Sequence, residues 1–171
     1  FLGFSLDTNS PFAQNIQLRQ AIVKGFNKFN LTKNNNHHRF DIANTLVPPH
    51  ILESGLSDQN QYDEKNAKRI IKQFKNIKDF ALNLCSNINS VEMQLLKSDM
   101  ERLGLNVKFI KNDLNYYQYI INNRPDIFRV SFAPSYPDAE EFYMLFYSKS
   151  GKQINLCGYK NPEYDLIMEN V

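Results

Sequence analysis

The 171-residue sequence has no tryptophan, two cysteines, three histidines, six glycines and a net charge of only +2. Each shortage excludes something. Cys85 and Cys157 stand far apart, so they permit one disulfide or none, and they cannot make a CxxC-type zinc site. The plainer reading is two separate buried thiols. The near balance of 20 basic and 18 acidic residues argues against a nucleic-acid partner held by bulk phosphate attraction. No apolar run reaches the roughly 18 residues that a membrane-spanning helix needs. Residues 1–4, Phe-Leu-Gly-Phe, lack the basic region, long apolar stretch and cleavage site of a secretory leader. The signatures of common catalytic and phosphate sites are missing too: no GxSxG, P-loop, GxGxxG or HExxH. The catalytic inventory is therefore thin, and no motif in it calls for a cofactor.

What is present is aromatic. Thirteen Phe and nine Tyr, with hydrophobic residues at 42%, suffice for a real core in a chain of one domain's length. A disordered chain would carry more charge and fewer aromatics. The opening residues Phe1, Leu2, Phe4 and Leu6 read as a strand with no polar lead-in, which suggests a piece of a longer protein. After the turn cluster Asp7–Pro11, the stripe Ile16, Ala21, Ile22, Val23 and Phe26 predicts a helix that Gly25 weakens. Asn34–His38 reads as a polar loop. Asp63 is a predicted N-cap for a helix burying Ala67, Ile70, Ile71 and Phe74.

From there strands and helices alternate. Phe80–Leu84 reads as a buried strand. Ser90 caps a helix over 91–103 that Gly104 closes. A strand over 105–109, a helix over 114–121 and a strand over 127–132 follow. A proline-bracketed loop, 134–137, opens a helix over 138–147 with its acids in the first turn. After a loop at 151–158, Asn161 and Pro162 start a last helix to 168. Strands spaced by helices predict an α/β sheet with helices packed on it.

Few residues invite chemistry. His37-His38 could bind metal, but adjacent positions share no helix face and no further ligand stands at spacing beside them. A solvated loop is the plainer reading. His50, after Pro48-Pro49, reads as a surface residue. Glu140 and Glu141 are neighbours in a first turn, point apart, and fit the helix dipole. The informative stretch is 126–147. Loops past strand ends are where α/β sheets bind ligands. Here Phe132 and Tyr136 flank backbone made irregular by Pro134 and Pro137, an arrangement that can show aromatic faces and free amides to a small molecule. The alternative is Phe132 in the core and Tyr136 as a turn aromatic. Arg129 faces away from Phe128 and Val130, either solvated or meeting an anion bidentately.

A collinear set of short matches resembles one family. Phe1–Phe4 with Pro11-Phe12 resembles a strand and the "PF" after a hinge, and Leu18–Ala21 resembles "VRQA". Residues 43–49, ANTLVPP, resemble an Ala-to-Pro-Pro loop, and Tyr62–Lys68 resembles "YDPEKAK". Residues 95–107 resemble a helix and strand ending "LGINV". Tyr136-Pro137-Asp138 with Phe142 resembles "DYPDPxxF", and Asn155 with Gly158–Asp165 resembles "N…GYxNPExD". Together they resemble the family 5 extracellular solute-binding proteins, the oligopeptide-, dipeptide- and nickel-binding components of ABC importers.

The resemblance implies a two-lobed, hinged clamp of the type II periplasmic-binding-protein kind. Residues 1–171 would be a single α/β lobe, most of the C-terminal one, with a mixed β-sheet flanked by helices. Its own N-terminal lobe would be a partner, with ABC permease subunits, and the ligand a peptide or other small solute. The role implied is capture and delivery without catalysis, so not an enzyme, in the periplasm or, lipid-anchored, at the cell surface. The implied ligand wall is Arg129, Phe132, Ala133, Pro134, Ser135 and Tyr136, with Asn155 and Tyr159 from the matching loop. Departures matter: Ser135 stands where peptide binders carry an Asp that pairs with the peptide amine, and a hydroxyl supplies no charge. Phe132 replaces a Trp, and Ala139 a Pro. Phe132–Tyr136 also resembles the aromatic-Gly-Ala-Pro-Tyr loop of nickel-chelate binders, without their downstream His. Two other classes stay open: a fragment of an α/β enzyme whose catalytic residues lie elsewhere, and an interaction module using Tyr116, Tyr117 and Tyr119.

Overall fold

The computed structural model describes residues 1–33, 42–43, 45–48, 50–51 and 61–170. The reading of His37-His38 lies outside those residues. Strand β1 (Leu2–Phe4) leads into α1 (Pro11–Gln14), α2 (Ile16–Gly25) and α3 (Phe29–Lys33). Helix α4 (Glu64–Ile71) precedes a 3-10 turn (Ile77–Asp79) and β2 (Ala81–Ser86). Then come α5 (Val91–Arg102), β3 (Asn106–Lys111), α6 (Tyr116–Asn123) and β4 (Ile127–Arg129). Helix α7 (Ala139–Tyr143), a 3-10 turn (Met144–Phe146) and α8 (Pro162–Glu169) complete the order.

The sheet order is β1-β4-β2-β3. Strands β2, β3 and β4 run parallel, while β1 pairs antiparallel with β4, Leu2 opposite Arg129. The mixed sheet is thus as expected from the sequence. Strand alternation sorts residues to two faces. Leu82, Leu84, Val107 and Ile127 join a core with α2, α4 and α5, while Cys85, Phe128 and Val130 join a second core with α6 and Leu156. The crossover helices α5 and α6 therefore lie on opposite faces.

Caps set the helix starts. Asp63, Ser90 and Asn161 each accept a backbone N–H of the first turn, as predicted, and Asp138 does the same for α7. Tertiary contacts set what the pattern missed. The buried stripe of α2 is Leu18, Ala21, Ile22 and Gly25, and Ile16 is exposed at 59% because it is the first helical residue, after the Asn15 cap. Gly25 is a place of close approach: a Cβ there would run into the Leu103 side chain. Phe80, expected in a buried strand, is half exposed, since β2 begins one residue later. Strand β4 ends at Arg129, not residue 132, because β1 offers it only three residues to pair with. The helix expected over 138–147 is α7 plus the 3-10 turn.

Candidate functional site

Three parallel strands share a carboxyl edge, and antiparallel β1 begins there. Crossovers to opposite faces leave a crevice at such an edge, where α/β sheets take ligands. Arg129, partly buried, ends β4 at that edge. Its Nη1 donates to Asn87 Oδ1, 3.4 Å away, just beyond the end of β2. Its position is fixed from behind: the single O–H of the buried Tyr116 is shared between the Arg129 carbonyl at 2.8 Å and the Cys85 carbonyl at 3.0 Å. Desolvation first, then the Cys85 sulfur, pushes the Tyr116 phenol up, so it stays a donor. The Arg129 charge in turn contributes to lowering the Glu92 carboxyl, whose larger cause is the hydrogen bond from Ser90.

The 130–137 loop rises beside Arg129. Phe132 is half-buried and meets Phe142 of α7 edge-on, ring centres 5.3 Å apart. It is neither a core residue nor a free one; α7 props it up. Ala133, Ser135 and Tyr136 are exposed and Pro134 is partly so. Glu141 reaches back from α7, its Oε2 accepting the Ser135 N–H at 2.6 Å. The expectation that Glu140 and Glu141 serve only the helix dipole is thereby corrected for Glu141: a short helix turned towards its own loop brings the carboxylate there. The sequence signal was the spacing of six residues across a Pro-Asp turn. Partial desolvation, then the Glu140, Glu141 and Asp138 carboxylates, raises the Tyr136 phenol.

Asn155 and Tyr159 sit differently. The Asn155 amide is buried; its Nδ2 donates to the carbonyls of Tyr159 at 2.8 Å and Tyr147 at 3.3 Å, and its Oδ1 accepts the Tyr159 N–H at 3.1 Å. It holds the loop from inside. Tyr159 stacks edge-on with Phe146 and Tyr164, and its hydroxyl accepts from Asn161. Beneath the loop lies a cavity of about 130 Å³ lined by Phe1, Tyr117, Val130, Phe132, Ile154 and Leu156 among others. Cys85 and Cys157 are both buried and unbridged, and desolvation pushes each thiol up to about 11.

Sequence reasoning missed the rest of the edge. Ile88 and Val91 after β2, Leu114 and Tyr117 after β3, and Phe1 and Leu2 beginning β1 are all exposed. Leu114, read as the start of a helix, is 80% exposed because α6 begins two residues later. With Tyr136 these side chains put apolar and aromatic surface on the carboxyl edge. Helical and strand periodicity cannot reveal it, since these residues lie in connections or in the first turns and ends of elements, where a few residues carry no period.

A family description, "Bacterial extracellular solute-binding proteins, family 5 Middle", matches residues 1–153. The chain belongs to family 5 of these proteins. No curated protein sequence matches it. Among solved structures, this family 5 chain is similar to a Helicobacter pylori periplasmic binding protein, DppA, in complex with the peptide STSA (TM-score 0.83, 18% identity, 99% of this chain and 35% of that one). A periplasmic oligopeptide-binding protein of Borrelia burgdorferi, OppAIV, gives 0.79 and 20%, over 99% and 35%. NikZ from Campylobacter jejuni, in complex with Ni(L-His), gives 0.76 and 19%, over 99% and 37%. The family 5 chain thus spans about a third of the length of these structures, whose fold it shares.

Proposed function

We propose that this chain is one lobe of the solute-binding component of an ABC importer, with its carboxyl edge as one wall of a ligand cleft. The observation that carries the reading is the number of exposed apolar and aromatic side chains on that edge, which Arg129 shares. Single exposed apolar residues are ordinary, but a contiguous set marks a binding face. Closure of a second lobe over it would trap the solute, and a membrane permease would receive it. The place of action would be outside the cytoplasmic membrane, free or lipid-anchored.

The favoured solute is a peptide. Phe132 and Tyr136 offer faces to apolar side chains, and Arg129 offers two parallel donors to a carboxylate. Ser135 brings no charge, but Glu141 stands one hydrogen bond away, so the loop keeps a carboxylate near the place of an amine. The Asn155 amide is fully engaged inside its loop, and we assign it to holding that loop. The wall is then Arg129, Phe132, Ala133, Pro134, Ser135 and Tyr136, with Tyr159 behind it.

The test is Arg129→Ala in the longest natural polypeptide that carries this chain. A charge-assisted hydrogen bond is worth about 1.5–3 kcal/mol, so affinity for carboxylate-bearing solutes is expected to fall roughly ten- to a hundredfold. Arg129→Lys should recover little of it, because a point charge does not replace a fork. Unchanged affinity in the alanine variant would remove Arg129 from the wall.

A further inference from the structure

The opposite edge of the sheet has the reverse chemistry. Residues 65–78, Lys-Asn-Ala-Lys-Arg-Ile-Ile-Lys-Gln-Phe-Lys-Asn-Ile-Lys, hold six basic residues and no acid, leaving 14 basic against 18 acidic residues elsewhere. They run along α4 and the turns that lead into the amino end of β2. There they border an open groove of about 590 Å³ lined by Lys68, Lys72, Lys75, Lys78, Arg102 and Asp79 among others.

Part of this charge has a structural explanation. Lys68 pairs with Glu64 at 2.6 Å, and Arg102 pairs with Glu64 at 3.1 Å and Asp99 at 2.7 Å. Lys68 and Arg69 also complement the carboxyl end of α4. Lys72, Lys75 and Lys78 remain. All three are exposed, and no carboxylate pairs with them among the described residues. Among the described residues, Asp79 is the single acid that lines the groove. The left-handed turns at Asn76 and Gly104 bring the two banks together, and the stem of Lys78 lies 3.7 Å from the position of a Cβ on Gly104. Phe80, next along the chain, shows half its surface to solvent.

We propose that this groove docks the lobe on a lipid bilayer carrying anionic headgroups. Three lysines on flexible stems, without arginine's rigid fork, suit phosphates whose positions vary over a fluid surface better than one fixed carboxylate. An exposed aromatic beside basic residues is the pairing found where proteins rest on the headgroup region. The charge pattern stands independently of the solute reading, and the surface lies at the opposite end of the sheet from the ligand wall.

The test is sedimentation of the full chain with two sets of vesicles, phosphatidylcholine alone and phosphatidylcholine mixed with an equal part of phosphatidylglycerol. The chain is expected to bind only the mixed vesicles and to leave them as salt is raised. Lys72→Glu, Lys75→Glu and Lys78→Glu together should lower partitioning by about a hundredfold or more. The three Lys→Arg changes should preserve it, and far-UV circular dichroism should match across variants. Equal binding to both vesicles, no binding to either, or full binding by the triple glutamate variant would overturn the proposal. So would complete competition by inorganic phosphate at matched phosphate concentration, which points to a free-anion site. Binding to polyglutamate with no binding to the mixed vesicles would also overturn it, in favour of an acidic protein partner.

Discussion

At Gly158 the chain turns with φ +67°, and a Cβ there would stand 2.7 Å from Asp7 Cγ and 2.8 Å from Arg124 Nη2. Those two side chains form an ion pair, with Arg124 Nε donating to Asp7 Oδ1 at 2.7 Å. Arg124 Nη1 also donates to the Leu156 carbonyl at 2.7 Å. One arginine thus ties the segment after β1, the end of α6 and the loop that carries Asn155. Gly158→Ala adds both left-handed backbone strain and a clash with the pair. The expected cost is about 1–3 kcal/mol, read as a lower urea midpoint at unchanged slope. An unchanged midpoint would show that the clamp yields freely. The same glycine is part of the sequence match to family 5, but its reason, room for an ion pair 117 residues apart in sequence, is a tertiary fact.

The elements are fastened to one another by few polar groups. Asp99, buried on α5, accepts the Asn27 N–H at 3.1 Å just past α2 and holds Arg102, which reaches Glu64 on α4. The hydrogen bonds from Lys68 and Tyr62, and then the charge of Arg102, hold the Glu64 carboxyl down from its ordinary 4.5 to about 2. A depressed carboxyl stabilises the fold above its unfolded pKa and loses that contribution as pH falls through the folded one. The Glu64 contribution is therefore complete above about pH 4.5 and is lost towards pH 2. Glu64→Gln should lower thermal stability most above about pH 4.5, where the contribution is complete, and converge with the parent towards pH 2, which flattens the acid limb. An identical acid limb would exclude Glu64 as its source. Elements whose ends are set locally were legible in the sequence. Helices α5 and α8 follow from Ser90, and from Asn161 with Pro162, because a cap is a bond between near neighbours. The end of β4, the exposure of Phe80 and the placement of Glu141 were not legible. Each depends on a partner distant in sequence or on how a short helix turns back on its loop.

The whole molecule is polarised along its strands. Apolar and aromatic side chains gather at the carboxyl edge, and uncompensated lysines at the amino edge. We assign the first to ligand capture and the second to position at a membrane. The stretch from Arg129 to Tyr136 stood out as the proposed wall because a strand, two prolines and a helix cap converge in it. The apolar rim of Ile88, Val91, Leu114 and Tyr117 was not, since only the parallel register of β2, β3 and β4 places those connections together. The most direct test of the central claim is native mass spectrometry on the longest natural polypeptide that carries this chain, purified from its source. The expected result is a protein that retains a mixture of short peptides. An empty protein that turns over a substrate would contradict the account and return the chain to the enzymes.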